Sequence, residues 1–143
     1  MSGPQGLPSV VVVDIDGTIA SHEGIRDHHD YARVGEDAPV EAIVRLVQLL
    51  AEHHRVIYCS GRAESSRQAT EAWLVRHGLP SHELLLLRPV GDRRRDEVVK
   101  AELYASRIAP SYRVELVLED RSRVVQMWRE LGLTCLQVAE GDF

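Results

Sequence analysis

A doubly wound parallel α/β sheet is the fold this sequence predicts, and three observations carry it. Apolar strand-like runs alternate with amphipathic helical stretches along the chain, which is the pattern of strand-helix-strand crossovers. The first run, Val10 to Val13, is four β-branched residues in a row, as in a strand buried on both faces. Three of the runs end abruptly in carboxylates or hydroxyls, which puts chemistry where such sheets bind ligands, at the carboxyl ends of their strands.

The first strand runs into Asp14-Ile15-Asp16-Gly17-Thr18. In extended backbone Asp14 and Asp16 point to one side, with Ile15 turned inward. Two anionic oxygens so close call for a divalent cation, and an all-oxygen donor set suits Mg²⁺. Gly17 permits a sharp exit, and Thr18 supplies a hydroxyl for the loop or for a ligand oxygen. Residues 20–38 follow, too polar for a core and long for a connection, and read as an active-site flap. Arg26 on that flap has the chemistry of a phosphate clamp. His22, His28 and His29 lack a regular metal-ligand spacing.

Residues 39–53 carry Val40, Ile43, Val44, Val47 and Leu50 at helical spacing. The second strand, 55–60, ends in Ser60-Gly61-Arg62, where a hydroxyl and a guanidinium suit a phosphate and glycine allows close approach. A helix over 65–77 stops at Gly78, and a leucine-built strand spans 83–88. The basic stretch 91–100 feeds a helix to about residue 108, with Asp92 or Asp96 available to cap it and Lys100 one turn after Asp96. The fourth strand, 112–118, ends in Glu119-Asp120, a helix starts at Ser122, and a last strand covers 134–138. With strand order 3-2-1-4-5 the first strand is central, and Asp14, Asp16, Ser60, Glu119 and Asp120 meet at one edge.

Composition narrows the rest. The chain of 143 residues fits one domain, 1–143, with a Gly- and Pro-rich lead-in over 1–8. A formal charge of −5 argues against general coating of duplex DNA. Cys59 and Cys135 sit in apolar runs and read as buried thiols of a reducing cytoplasm. No run approaches bilayer length and no leader pattern opens the chain, so a cytoplasmic protein without membrane contact is expected.

The constellation suits phosphoryl transfer through a covalent intermediate. Asp14 is the candidate nucleophile, Asp16 the acid and base, and Ser60 and Lys100 candidates to neutralise phosphoryl oxygens.

DIDGT after a strand, Ser60, Lys100 and Glu119-Asp120 resemble the four signature motifs of the haloacid dehalogenase superfamily of phosphatases. That resemblance implies a Rossmann-like fold, Mg²⁺ dependence and an aspartyl-phosphate intermediate on Asp14. The segments GDRRRDEVVKAELYASRIAP and VLEDRSRVVQMWRELGLTCLQVAEGDF resemble the 3′-phosphatase domain of the bacteriophage polynucleotide kinase/phosphatase family. What this implies is removal of 3′-phosphate, or 2′,3′-cyclic phosphate, from DNA or RNA ends, with a fused or partner kinase or ligase.

By position Thr18, Arg26, Gly61, Arg62 and Asp96 then fall on substrate-binding sites, and Asp14, Asp16 and Asp120 on the metal. Glu119, where the motif has Asp, is left as an outer-shell candidate. No G-x-x-x-x-G-K-[ST] loop occurs, so the kinase half has no counterpart in this sequence. Two rival readings stand beside this one: a phosphatase of nucleotides or other small phosphomonoesters on the same scaffold, and a non-catalytic module that binds nucleic-acid ends.

Overall fold

The computed structural model of the protein describes residues 6–143. Residues 1–5 of the expected lead-in lie outside that range, and Pro8 is already tied to the sheet, its carbonyl accepting from the Arg113 amide at 2.9 Å. Strand β1 (Ser9–Val13) is the middle of a five-stranded parallel sheet. Its neighbours are β4 (Arg55–Ala63) and β6 (Arg113–Glu119), and the edges are β5 (Leu84–Arg88) and β7 (Cys135–Gln137). The order is β5-β4-β1-β6-β7, the predicted 3-2-1-4-5.

The valine run explains why β1 is central. Val10, Val11, Val12 and Val13 are all at most 1% exposed, so neither face meets water. Val11 and Val13 pack with Val44 and Val47 of α1 (Glu41–Leu50) and Trp73 and Leu74 of α2 (Arg67–Arg76). Val10 and Val12 face the other layer, with Ile108 and with Val124, Val125 and Trp128 of α4 (Ser122–Glu130). Period-two alternation thus divides one strand between two cores.

Helix α3 (Asp96–Leu103) continues into a π-helical turn, Tyr104–Ile108. Neither Asp92 nor Asp96 caps it. Arg95 holds the cap position, and the Asp92 carboxylate instead takes the Arg94 amide at 3.0 Å and its guanidinium at 2.7 Å. The flap begins and ends in a two-residue antiparallel ribbon, β2 (Ala20–Ser21) with β3 (Ala38–Pro39), and carries a 3₁₀ turn over Tyr31–Glu36. Among the described residues no helix is long and apolar enough to cross a membrane. Cys59 and Cys135 are free, buried thiols, each pushed up to about 12 by burial.

Candidate active site

The exit from β1 decides the site. Asp14 still belongs to the sheet ladder, its amide donating to Leu118 at 3.0 Å. The chain then turns so sharply that the Ile15 carbonyl accepts from the amides of Thr18, Ile19 and Ala20 at 3.1, 3.0 and 3.0 Å. Gly17 makes the turn at φ +83°, a conformation that a side chain resists.

Both oxygens of Asp14 are engaged. Lys100 Nζ donates to Oδ1 at 2.7 Å, and Thr18 Oγ1 donates to Oδ2 at 2.9 Å. The Thr18 hydroxyl, expected on substrate, therefore orients Asp14. Lys100 also donates to Glu119 Oε1 at 2.9 Å. It is 1% exposed, so the surface pair with Asp96 that its spacing allowed is not what forms. Burial works against the charge of Lys100, but Asp14 and Glu119 outweigh it and hold the ammonium well above its usual range.

Asp14, Glu119 and Asp120 each bring an oxygen within 4.8 Å of the others, all buried. Burial and the neighbouring Asp14 push the Asp120 carboxyl up to about 7. Burial and the same neighbour also raise Glu119 well above the usual range, despite Lys100. One ammonium does not neutralise three carboxylates in a desolvated site.

Asp16 has left this cluster. Its Oδ1 accepts from Arg62 and Arg26 at 2.9 and 3.1 Å, and its Oδ2 from Arg62 Nε at 3.1 Å. The Asp16 carboxylate, expected beside that of Asp14, sits in a guanidinium clamp, because the chain turns after Asp14 instead of continuing as a strand. Buried Asp37 closes the clamp from the far side, taking Arg26 at 2.8 and 3.0 Å and Arg62 at 2.8 Å. Burial disfavours the charge on Asp16, but Arg62 and Arg26 hold its carboxyl below the ordinary range.

Arg26 spends all five of its N–H groups, the last two on the carbonyls of Asp27 and His28 at 3.1 and 2.9 Å. The phosphate clamp expected of Arg26 and Arg62 is a carboxylate clamp in the structure.

Strand β4 runs three residues past its expected end and carries Gly61 and Arg62 beyond its last pairing with β1, at Tyr58. The buried Ser60 Oγ accepts from the Arg62 amide at 3.0 Å. Gly61 packs on Asp96, where a Cβ would lie 2.5 Å from Oδ1. Asp96 in turn accepts from Arg88 and, at 3.2 Å, from Arg121. Burial opposes its charge, but Lys100, Arg121 and Arg88 prevail and keep the carboxyl below its usual value.

A cleft of about 450 Å³ is lined by Asp14, Asp16, Gly61, Asp96, Lys100 and Asp120 among others. The sequence expectations thus converge on one crevice, with Thr18, Ser60, Arg26 and Arg62 behind its wall.

The family model of the polynucleotide kinase PNKP phosphatase domain matches residues 8–143. The chain belongs to that family. A protein named as a bifunctional polynucleotide kinase/RNA ligase, from Autographa californica nuclear polyhedrosis virus, is 32% identical over 130 residues. That match takes in 89% of this chain and 19% of the viral protein. A chain of the Pnkp1/Rnl/Hen1 RNA repair complex is 35% identical with TM-score 0.93, over 100% of this chain and 46% of that one. This chain therefore spans about half of that solved relative and about a fifth of the viral one.

A haloacid dehalogenase-like family hydrolase of Streptococcus pneumoniae shares the fold, at TM-score 0.61 and 12% identity over 92% of this chain and 84% of that one. The expected superfamily and its Rossmann-like architecture are met.

Several groups of this PNKP phosphatase domain have no site role in the sequence reading. Asp37 is one, since nothing in its spacing marks it; the only hint was that two buried arginines need a carboxylate. His22 and His28 line the cleft, joined ring nitrogen to ring nitrogen at 3.0 Å. Burial lowers His28 below the usual imidazole range, with His22, His29 and Arg121 adding to the effect against Asp16. Phe143 stands at the cleft mouth with the Arg121 guanidinium 4.6 Å above its ring.

The donor set fits a divalent cation. Asp14, Glu119 and Asp120 offer hard oxygen donors only, and the raised carboxyls of Glu119 and Asp120 mark an excess of negative charge. Glu119, expected as an outer-shell group, lies within this cluster, with one oxygen on Lys100 and the other accepting from the Asp120 amide at 3.3 Å.

Proposed function

We propose that this domain is a Mg²⁺-dependent polynucleotide 3′-phosphatase working by way of an aspartyl phosphate on Asp14. The observation that carries it is the placement of Asp14, fixed by Lys100 and Thr18 beside the Glu119-Asp120 pair, at the end of the central strand of a PNKP phosphatase domain.

An Asp14 oxygen forms a bond to phosphorus while the bond to the 3′-oxygen breaks, and Asp16 gives that oxygen its proton. Asp16 then takes a proton from the water that attacks phosphorus, releasing inorganic phosphate and restoring Asp14. Lys100 holds positive charge against the reacting group throughout, and a phosphoryl oxygen is assigned to the Ser60 hydroxyl, which now accepts from the Arg62 amide. Mg²⁺ held by Asp14, Glu119 and Asp120 would supply further positive charge where the phosphoryl oxygens gather it. Arg26, Arg62 and Asp37 act through Asp16, as positioning residues.

The printed names of the relatives support a setting in RNA repair beside a kinase and a ligase, fused or as partners, with a 3′-phosphorylated RNA or DNA end as substrate. Free buried thiols suit a reducing cytoplasm.

The test is phosphate release from matched oligonucleotides bearing 3′-phosphate, 2′,3′-cyclic phosphate or 5′-phosphate, with Mg²⁺ or chelator. Turnover of the 3′-phosphate with Mg²⁺ alone, lost in Asp14→Asn, is the expected result. Equal or better turnover of small sugar phosphates overturns the polynucleotide reading. Tight end binding without turnover would make the domain a binding module.

A further inference from the structure

The chain carries a net charge of −5, yet a second groove, of about 680 Å³, is walled by six arginines against two aspartates. It shares His28, Asp96 and Arg121 with the Asp14 cleft, so the two form one continuous concavity. Three of the six arginines are occupied. Arg88 holds Asp96 and the Gly61 carbonyl, Arg94 holds Asp92, and Arg121 holds Asp96.

The other three are Arg93, Arg95 and Arg123, from the loop before α3 and the first turn of α4. They are exposed, and among the described residues no acid pairs with them. A solvated face gathers arginines without ordering them, but here they surround a concavity that opens into the reactive crevice. Tyr31 and His29 line the same groove, edge to face at 6.3 Å between ring centroids.

Guanidiniums along a groove with aromatic rings on its wall are the equipment for single-stranded nucleic acid. Phosphodiesters meet the cations, and unstacked bases lie on the rings. We propose that this groove holds the nucleotides next to the scissile phosphate as a single strand, with Arg93, Arg95 and Arg123 on phosphodiesters and a base against Tyr31. The proposal rests on the polynucleotide reading above and adds to it where the strand lies and that its end is unpaired.

The experiment measures kcat and KM for single-stranded 3′-phosphorylated oligonucleotides of one, two, four and eight nucleotides, and for the eight-nucleotide end inside a blunt duplex. Hydrolysis of p-nitrophenyl phosphate, too small to reach the groove, is followed in parallel. The expected result is a KM falling roughly tenfold or more from one to four nucleotides at constant kcat, and a poorer duplex.

The triple variant Arg93→Ala, Arg95→Ala, Arg123→Ala should lose that length dependence and flatten the slope of log(1/KM) against log salt by about 2. Its p-nitrophenyl phosphate turnover should match wild type, which also reports an intact fold. A KM independent of length, a variant that keeps the dependence, or a duplex end bound as well as the single strand overturns the proposal. If p-nitrophenyl phosphate is hydrolysed and no oligonucleotide is, the polynucleotide reading itself falls and takes this proposal with it.

Discussion

Gly17 and Asp120 fit against each other without room for one more carbon: a Cβ on Gly17 would lie 2.0 Å from Asp120 Oδ2. Gly17 also sits at φ +83°. The turn that ends β1 and the acid that follows β6 are therefore set by one contact. Gly17→Ala should destabilise the fold by roughly 1–3 kcal/mol through the strained backbone. By displacing Asp120 it should cut kcat about 100-fold. Thermal melting and steady-state kinetics check the two effects, and an active, stable variant would mean that the crevice is looser than its geometry.

Lys100 is the one cation between two buried acids. In Lys100→Met, Asp14 and Glu119 face each other unpaired, and a loss of about 3–5 kcal/mol is expected. Turnover should be abolished. Adding Glu119→Gln removes one of the stranded charges and should restore part of the melting temperature but no activity. Denaturant unfolding of the single and double variants measures that coupling.

The clamp on Asp16 sets a pH dependence. Its carboxyl is held below the usual range, so the acid form that protonates the leaving oxygen persists only at low pH. Single-turnover rates should therefore fall as pH rises from acid to neutral. Arg26→Met removes one of the two guanidiniums, raises the Asp16 pKa and moves that falling limb to higher pH by about one unit. An unmoved limb would assign it to another group.

Asp120 gives the opposite sign. Its carboxyl is raised to about 7 in the folded protein, so the folded state binds the proton more tightly than the unfolded one. In chelator, the contribution of Asp120 to stability is full below the ordinary carboxylate range and is lost as pH rises through about 7. Melting in chelator should be lower at pH 8 than at pH 5. Asp120→Asn should raise the pH 8 value by about 3–6 °C. Added Mg²⁺ should stabilise wild type at pH 8 and have little effect on the variant, which should also be inactive. Equal melting of wild type with and without Mg²⁺ would remove the cation from this cluster.

The legible part of the site was the part written as strand ends. Asp14, Ser60 and Glu119-Asp120 each follow an apolar run, so their common location needed only the strand order. Lys100 was legible as a site residue from the phosphoryl-transfer constellation and the resemblance, while its helical spacing alone offered a surface pair with Asp96. The clamp was not legible, since Arg26 and Arg62 suit a phosphate as well as a carboxylate, and Asp37 lies in a flap without periodicity. The pairing of the Asp16 side chain was not legible for a related reason. The rule that residues two apart share a side holds for extended backbone, and the hydrogen bonds on the Ile15 carbonyl end the extension at Asp14.

By itself, then, the sequence determined the sheet, its order and the crevice, because β-branched runs and helical periodicities are local and leave few ways to bury both faces of a central strand. Tertiary structure alone decided which charges pair. Lys100 went to Asp14 and Glu119, Arg26 and Arg62 to Asp16 and Asp37, and Arg93, Arg95 and Arg123 to none of the described acids. Ion pairing depends on distances of a few ångströms between residues far apart in the chain, which no spacing along it encodes.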